Sequence, residues 1–251
     1  MQKLSLISKI FIGSIVMTGA VVLVNSLVHW KSSQPVELLV LLTMTLIASR
    51  LKVKLPGING TMSVNVPFLL IVAVRLSAGE SLAIAALASL VQSIPAVKSR
   101  ATLVQALFNS ATITNSVAAA SLAFRLASHR GVVLPLSVTG AGAAFFLANT
   151  VQVAMVLWLA EGHNPFSAWR GMARLSTPYY VLSAGVAAVV CTAVQFAIWG
   201  EALALLPFMY SIYMSYRLYF ATPVTAQDAA GMAKPMGRAS ASTPSPRAAI
   251  N

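Results

Sequence analysis

Acid–base, nucleophilic and metal chemistry each require titratable or ligating side chains gathered at one place. This chain is poor in them. Its acids are Glu37, Glu80, Glu161, Glu201 and Asp228, its histidines are His29, His129 and His163, and its one cysteine is Cys191. The histidines fall at the ends of separate apolar runs, and no acid lies in the middle of one. The expectation is therefore no catalytic residue, no metal site, no cofactor and no enzymatic activity. Cys191 lies within an apolar run as a small packing residue, and a single cysteine forms no intrachain disulfide.

The remaining candidates are neutral polar residues inside long apolar segments. Gln105, Asn109, Thr112 and Ser116 recur at i, i+4, i+7 and i+11, the spacing of one helical face, with Thr114 and Asn115 nearby. Asn149, Thr150 and Gln152 lie close together, preceded by Gly140, Ala144 and Ala148 at a small-xxx-small spacing that suits close helix contact. An amide placed in hydrocarbon without a partner costs on the order of several kcal/mol. These faces must therefore turn inward, to bond between helices or to line a pocket. Gln105, Asn109, Thr112, Asn149 and Gln152 are the expected ligand-binding residues. Glu37, Glu80 and Glu201 fall at one end of their runs, with Arg75 close to Glu80 in sequence, which suggests interfacial charge or the mouth of a site.

Composition says what must position these groups. Of 251 residues, 58% are hydrophobic and 9% charged, whereas a soluble domain has about 45–50% apolar and about 25% charged residues. Too few polar side chains exist to cover a soluble surface, so lipid is the expected solvent. The net charge of +12 comes from basic residues set singly at the ends of apolar runs, where they orient spans and meet headgroups; no nucleic-acid partner is expected. Apolar runs cover about 9–29, 36–49, 67–76, 81–94, 103–127, 138–160, 179–199 and 202–219. The first is read as a retained span, because it is long for a secretory signal. The expected fold is an all-α integral membrane protein of about eight hydrophobic helices with six to eight crossings. The second, third and fourth runs are short for a full crossing of about 20 residues. If every run crosses, with the N-terminus inside, 13 of the 17 Lys and Arg residues fall inside and 4, Lys31, Arg75, Arg125 and Arg130, outside. This predicts both ends on the cytoplasmic side.

Two interfacial elements are expected. Leu51, Val53 and Leu55 alternate with Lys52 and Lys54, and after Pro56-Gly57 and Asn59-Gly60, Met62, Val64 and Val66 alternate with Ser63 and Asn65. Period two on both sides of turn residues reads as a short interfacial β-hairpin. From Glu161 to Ser176, Asn164-Pro165 is a cap-and-first-turn pair, and Phe166, Trp169 and Met172 recur at helical spacing. That segment reads as a short amphipathic surface helix. After residue 221 the chain turns to Pro, Ala, Ser and Gly. The expected division is a polytopic membrane domain over 1–221 and a disordered cytoplasmic tail over 222–251.

The run Ser49-Arg-Leu-Lys-Val-Lys-Leu-Pro-Gly-Ile-Asn-Gly-Thr-Met-Ser-Val64, together with Leu107-Phe-Asn109, Phe146-Leu-Ala-Asn-Thr-Val-Gln-Val153 and Tyr213-Met-Ser-Tyr-Arg-Leu-Tyr219, resembles a multi-pass membrane sensory module. That module precedes HD-GYP, GGDEF or histidine-kinase output domains in bacterial signalling proteins. The resemblance spans roughly residues 36 to 219 and implies a sensory or regulatory role in a bacterial inner membrane. Here a tail stands where the output domain would be, so signalling is expected to pass through a partner. The leading expectation is a stand-alone sensor-like or scaffolding module that binds a small or lipidic ligand or a partner's membrane helices. The alternative is a small-solute transporter or the substrate-binding membrane subunit of one. Expected partners are membrane lipid, a cytoplasmic or membrane signalling protein and a second copy of the chain. Ser63, Asn65, Tyr213, Tyr216 and Tyr219 are the residues expected to face a partner.

Overall fold

A computed structural model describes residues 5–30, 34–54, 61–93, 100–162 and 164–193, with positions 210 and 214. Seven helices form among these residues: α1 (Leu6–Val28), α2 (Pro35–Arg50), α3 (Val66–Arg75), α4 (Ala78–Ser93), α5 (Arg100–His129), α6 (Leu134–Glu161) and α7 (Pro165–Ala193). Three of them, α1, α6 and α7, are long and apolar enough to cross a membrane. A helix rises about 1.5 Å per residue against a hydrocarbon core of about 30 Å, and each of the three exceeds 20 residues. Their outward faces carry Ile10, Val21, Val24, Leu136, Leu147, Val181 and Val189, all exposed. Apolar surface of that extent is covered by lipid, and the protein is a membrane protein.

The expectation of eight helices and six to eight crossings is corrected. The second, third and fourth runs make helices of 16, 10 and 16 residues, too short for a straight crossing. The 30-residue α5 is diluted by Gln105, Asn109, Thr112, Thr114, Asn115 and Ser116. The eighth run and the tail from 222 onward lie outside the described residues.

The hairpin expectation is corrected as well. Among the described residues, strand is confined to two three-residue segments, β1 (Lys52–Lys54) and β2 (Thr61–Ser63), antiparallel with Val53 opposite Met62, and one more backbone bond runs from the Val64 N–H to the Leu51 carbonyl at 3.1 Å. The outgoing alternation does not continue as strand: Asn65 is the residue before α3, and Val66 and Pro67 open that helix. Proline at the start of a helix gives up a backbone N–H that has no helical acceptor, so helix wins over strand from Val66 onward. Residues 55–60, where the turn was expected, lie outside the described residues.

The amphipathic segment after Glu161 and the seventh run are one helix, α7, which passes through Pro178 without ending. Proline leaves the carbonyl of residue 174 without its helical donor, but Arg174 and Pro178 both lie on the exposed side. Asn164 caps the helix, its Oδ1 accepting from the backbone N–H groups of Phe166 at 3.0 Å and Ser167 at 3.3 Å.

The helices pack around α3. Every residue from Val66 to Ala73 is buried, against neighbours on α2, α4, α5, α6 and α7. Successive helices run antiparallel. Gly79 at the start of α4 lies against the Ser26 carbonyl near the end of α1, Glu37 at the start of α2 meets Arg75 at the end of α3, and Asn115 of α5 reaches Gln152 of α6. One end of the bundle therefore collects the starts of α2, α4 and α6 and the ends of α1, α3, α5 and α7.

The small-residue contact on α6 is displaced from its expected register. Gly140 is exposed with no atom near a would-be Cβ, whereas a Cβ on Gly142 would sit 2.8 Å from the Cβ of Ala184 on α7. Val138, Ala141, Gly142 and Phe145 form the inward stripe. Gly142→Leu is expected to lower the thermal stability of the detergent-solubilised protein by the equivalent of about 1–3 kcal/mol, the usual cost of overpacking. Gly140→Leu should leave it nearly unchanged, and thermal unfolding curves of the two variants make the comparison.

Candidate binding site

A helix buried at both ends must find partners for its terminal N–H and C=O groups, and those partners define the centre of this molecule. At the N-terminus of α3, the Val66 N–H donates to the Tyr179 hydroxyl at 3.3 Å. Near its C-terminus the Val72 carbonyl accepts from the Ser81 hydroxyl at 2.9 Å, and the Ala73 carbonyl accepts from the Ser121 hydroxyl at 3.1 Å. Serines of α4 and α5 thus hold the end of α3 in place.

The last residue of α3 is Arg75, a cation at the end where the helix dipole favours positive charge; Glu37 lies in the first turn of α2, where it favours negative charge. The Arg75 Nε donates to Glu37 Oε1 at 2.7 Å, with the Glu37 side chain 3% exposed and that of Arg75 25%. The bond is single, not the bidentate fork that arginine and carboxylate can form. Among the described residues the Arg75 Nη groups and Glu37 Oε2 have no hydrogen-bond partner.

Around this pair lies a cavity of about 240 Å³ lined by Gln34, Glu37, Val74, Arg75, Phe124, Leu134 and Cys191. The lining residues come from the start of α2, the end of α3, the last turns of α5, the start of α6 and the end of α7, all at one end of the bundle. The space suits a small solute, being smaller than the roughly 300–1,000 Å³ of drug-sized sites. Gln34, Glu37 and Arg75 supply polar groups to its lining, and Val74, Phe124 and Leu134 supply apolar ones.

Sequence proximity suggested Arg75 beside Glu80. Glu80 turns instead to its own helix start: its Oε2 accepts from the Ser77 N–H at 3.0 Å and the Ser77 hydroxyl at 2.8 Å, while Ser77 Oγ accepts from the Glu80 N–H at 3.4 Å. This is a capping box, and Ser77-x-x-Glu80 is its sequence signature. In the sequence Glu37 and Arg75 read only as interfacial charge or the mouth of a site, and Gln34 carries no signal. Nothing local marks a pair 38 positions apart, but an acid in the first turn of one short run and an arginine ending the next were a usable signal.

Among the described residues no hydrogen bond joins any two of the residues expected to bind ligand. Gln105 and Asn109 are exposed on α5, whereas Thr112, on the same face further along, is 2% exposed. Asn149 Nδ2 donates to the Tyr180 hydroxyl at 2.6 Å, and the Trp169 Nε1 donates to Thr150 Oγ1 at 3.1 Å, tying α6 to α7. Gln152 Nε2 donates to the Ala148 carbonyl of its own helix at 2.8 Å, and Asn115 Nδ2 lies 3.4 Å from Gln152 Oε1 and 3.3 Å from the Ile15 carbonyl. The Thr112 hydroxyl, Asn115 Oδ1 and Asn65 Nδ2 are buried without a hydrogen-bond partner among the described residues. Of the residues expected to face a partner, Asn65 is buried at the start of α3 and Ser63 lies in β2. Tyr213, Tyr216 and Tyr219 lie outside the described residues.

No protein-family model matches the chain, nor does any curated protein or solved structure.

The two partners of the ion pair differ in burial, so their removal should differ in cost. Arg75→Met strands a carboxylate that is 3% exposed and is expected to cost about 3–5 kcal/mol, the range for breaking a buried pair. Glu37→Gln leaves an arginine that is 25% exposed and can reach water, for about 1–2 kcal/mol. Unfolding of both variants in one detergent tests the order, which reverses if the pair is not the tether between α2 and α3.

Proposed function

We propose that this protein is a multi-pass module of a bacterial inner membrane that binds a small solute at one end of its helical bundle and reports occupancy to a partner. Binding, not catalysis, is its role. The observation that carries this reading is the cavity beside the Glu37–Arg75 pair, lined by charged and amide groups together with apolar ones. Such a combination is typical of small-molecule sites. The resemblance to membrane sensory modules supports a sensor-like role. With the N-terminus inside, the cavity opens toward the outer face, where a sensor would sample solutes. Its walls come from five helices, so occupancy would favour one arrangement of those helices over another, by as much as the ligand's differential affinity allows.

The transport-related alternative is favoured by one observation. The ten-residue α3 and sixteen-residue α4 are consecutive short helices in the middle of the body, as in proteins that bind solutes on interrupted helices. Uptake into proteoliposomes separates the two: a sensor-like module retains its solute without accumulating it.

Protein extracted from native membranes in mild detergent is expected to release a small solute on denaturation, detected by mass spectrometry. Gln34→Trp, which plugs the cavity from an exposed position, should abolish the release while preserving the thermal transition. Release of nothing by the wild type, with no thermal shift from a panel of polar metabolites, would overturn the reading.

A further inference from the structure

The site's charge pattern selects among small solutes, and the inference drawn from it rests on the binding reading above. The cavity presents one cation and one anion already in contact, so its net charge is zero. A simple anion would gain Arg75 but face the Glu37 carboxylate, and a simple cation would gain Glu37 but face Arg75. Either would also bring an uncompensated charge into a partly enclosed space lined in part by Val74, Phe124 and Leu134, where an unpaired ion is costly. A solute carrying both charges avoids each penalty, provided that its two charged groups are as close together as those of the pair.

We infer that the cavity takes a small zwitterion of the α-amino-acid class with a short apolar side chain. Its carboxylate lies on the Nη edge of Arg75, its ammonium on the second oxygen of Glu37, and its side chain on the Val74, Phe124 and Leu134 wall. The single-point contact between Arg75 Nε and Glu37 Oε1 matters here. It leaves the two Nη groups as donors and Oε2 as an acceptor on residues that line the cavity, so a ligand can add to the ion pair without breaking it. Arginine suits the carboxylate half because its planar edge offers two parallel N–H donors to two oxygens. Gln34, with a donor and an acceptor on one amide, extends the polar wall. The volume of about 240 Å³ accommodates valine or leucine.

The test compares three related probes on the full-length protein in detergent: leucine, its decarboxylated amine 3-methylbutylamine, and its deaminated acid 4-methylpentanoate. Leucine is expected to bind at least tenfold more tightly than either of the others, by calorimetry or thermal shift. Glu37→Gln should weaken leucine while narrowing its advantage over 4-methylpentanoate, because the acid no longer meets a carboxylate. That change in selectivity is not produced by loss of fold. If Glu37→Gln cannot be purified, the wild-type comparison decides alone. Equal binding of all three probes, or binding of none while native membranes yield a solute of other chemistry, overturns the ligand class and leaves the binding reading standing. Absence of any released solute and of any thermal shift from the metabolite panel removes both.

Discussion

Ten residues of helix with nowhere to put their ends are the constraint from which this structure follows. Helix α3 is surrounded by protein over Val66–Ala73, so its terminal backbone groups cannot turn to water, and in a membrane they cannot be left unpaired. The molecule answers with side chains from other helices. The Tyr179 hydroxyl accepts from the first N–H, and the Ser81 and Ser121 hydroxyls donate to carbonyls of the last turn. Each of these bonds fixes one helix against α3: α7, α4 and α5 respectively. Apolar contacts alone would not set the register, since Leu, Val and Ile on α3 pack comparably after a small slide. Hydroxyl-to-backbone bonds do not survive one.

The ion pair and the cavity are consequences of where α3 stops. At about 1.5 Å per residue, its 10 residues span only about 15 Å. Its neighbours continue past it: α5 runs on beyond Phe124 to His129, and α7 reaches Ala193. The chain then turns back at once through Leu76 and Ser77 into α4, leaving space over the end of α3 with longer helices on its sides. Arg75 caps that space from below with a charge the helix end stabilises, and Glu37 on α2 offsets it. Arg75 is three-quarters covered and Glu37 almost wholly so. The pair is held by its surroundings and does not owe its geometry to a transient surface contact.

Much of the element order was legible because hydrophobic runs and helices share a cause. The runs at 36–49, 67–76 and 81–94 anticipate α2, α3 and α4 to within a few residues. What periodicity could not show was which face turns inward once lipid is the solvent. Gly140, Ala144 and Ala148 have the spacing of a packing stripe, yet the tight contact falls at Gly142 against Ala184. Gln105 and Thr112 share a face of α5, but the bundle covers only the deeper part of it, leaving Gln105 exposed and Thr112 buried. The segment ending at Ser176 and the run starting at 179 read as separate elements, with Pro178 between them. Here the freed carbonyl lies on the exposed side and α7 continues. The site was least legible of all, because Glu37 and Arg75 are joined by the turn-back of the chain and not by any spacing along it.

The three candidate spans make the solvent argument quantitative. Helix α1 has a mean hydropathy of 2.1 with 11% of its window buried, α6 has 1.8 with 17%, and α7 has 1.4 with 50%. Among these three spans hydropathy falls as burial rises, whereas the short α3, buried from Val66 to Ala73, is itself apolar. Lipid tails are as apolar as leucine, so burial here gains little from hydrophobicity and depends on close packing and on polar groups that lipid cannot satisfy. α5 continues the trend: packed against α1, α3, α4 and α6, it carries the Gln, Asn, Thr and Ser residues. The bundle combines lipid-facing apolar spans, an apolar central α3 and a more polar α5, and it holds a carboxylate and a guanidinium in contact at one end. The lipid-facing helices give up nothing for it.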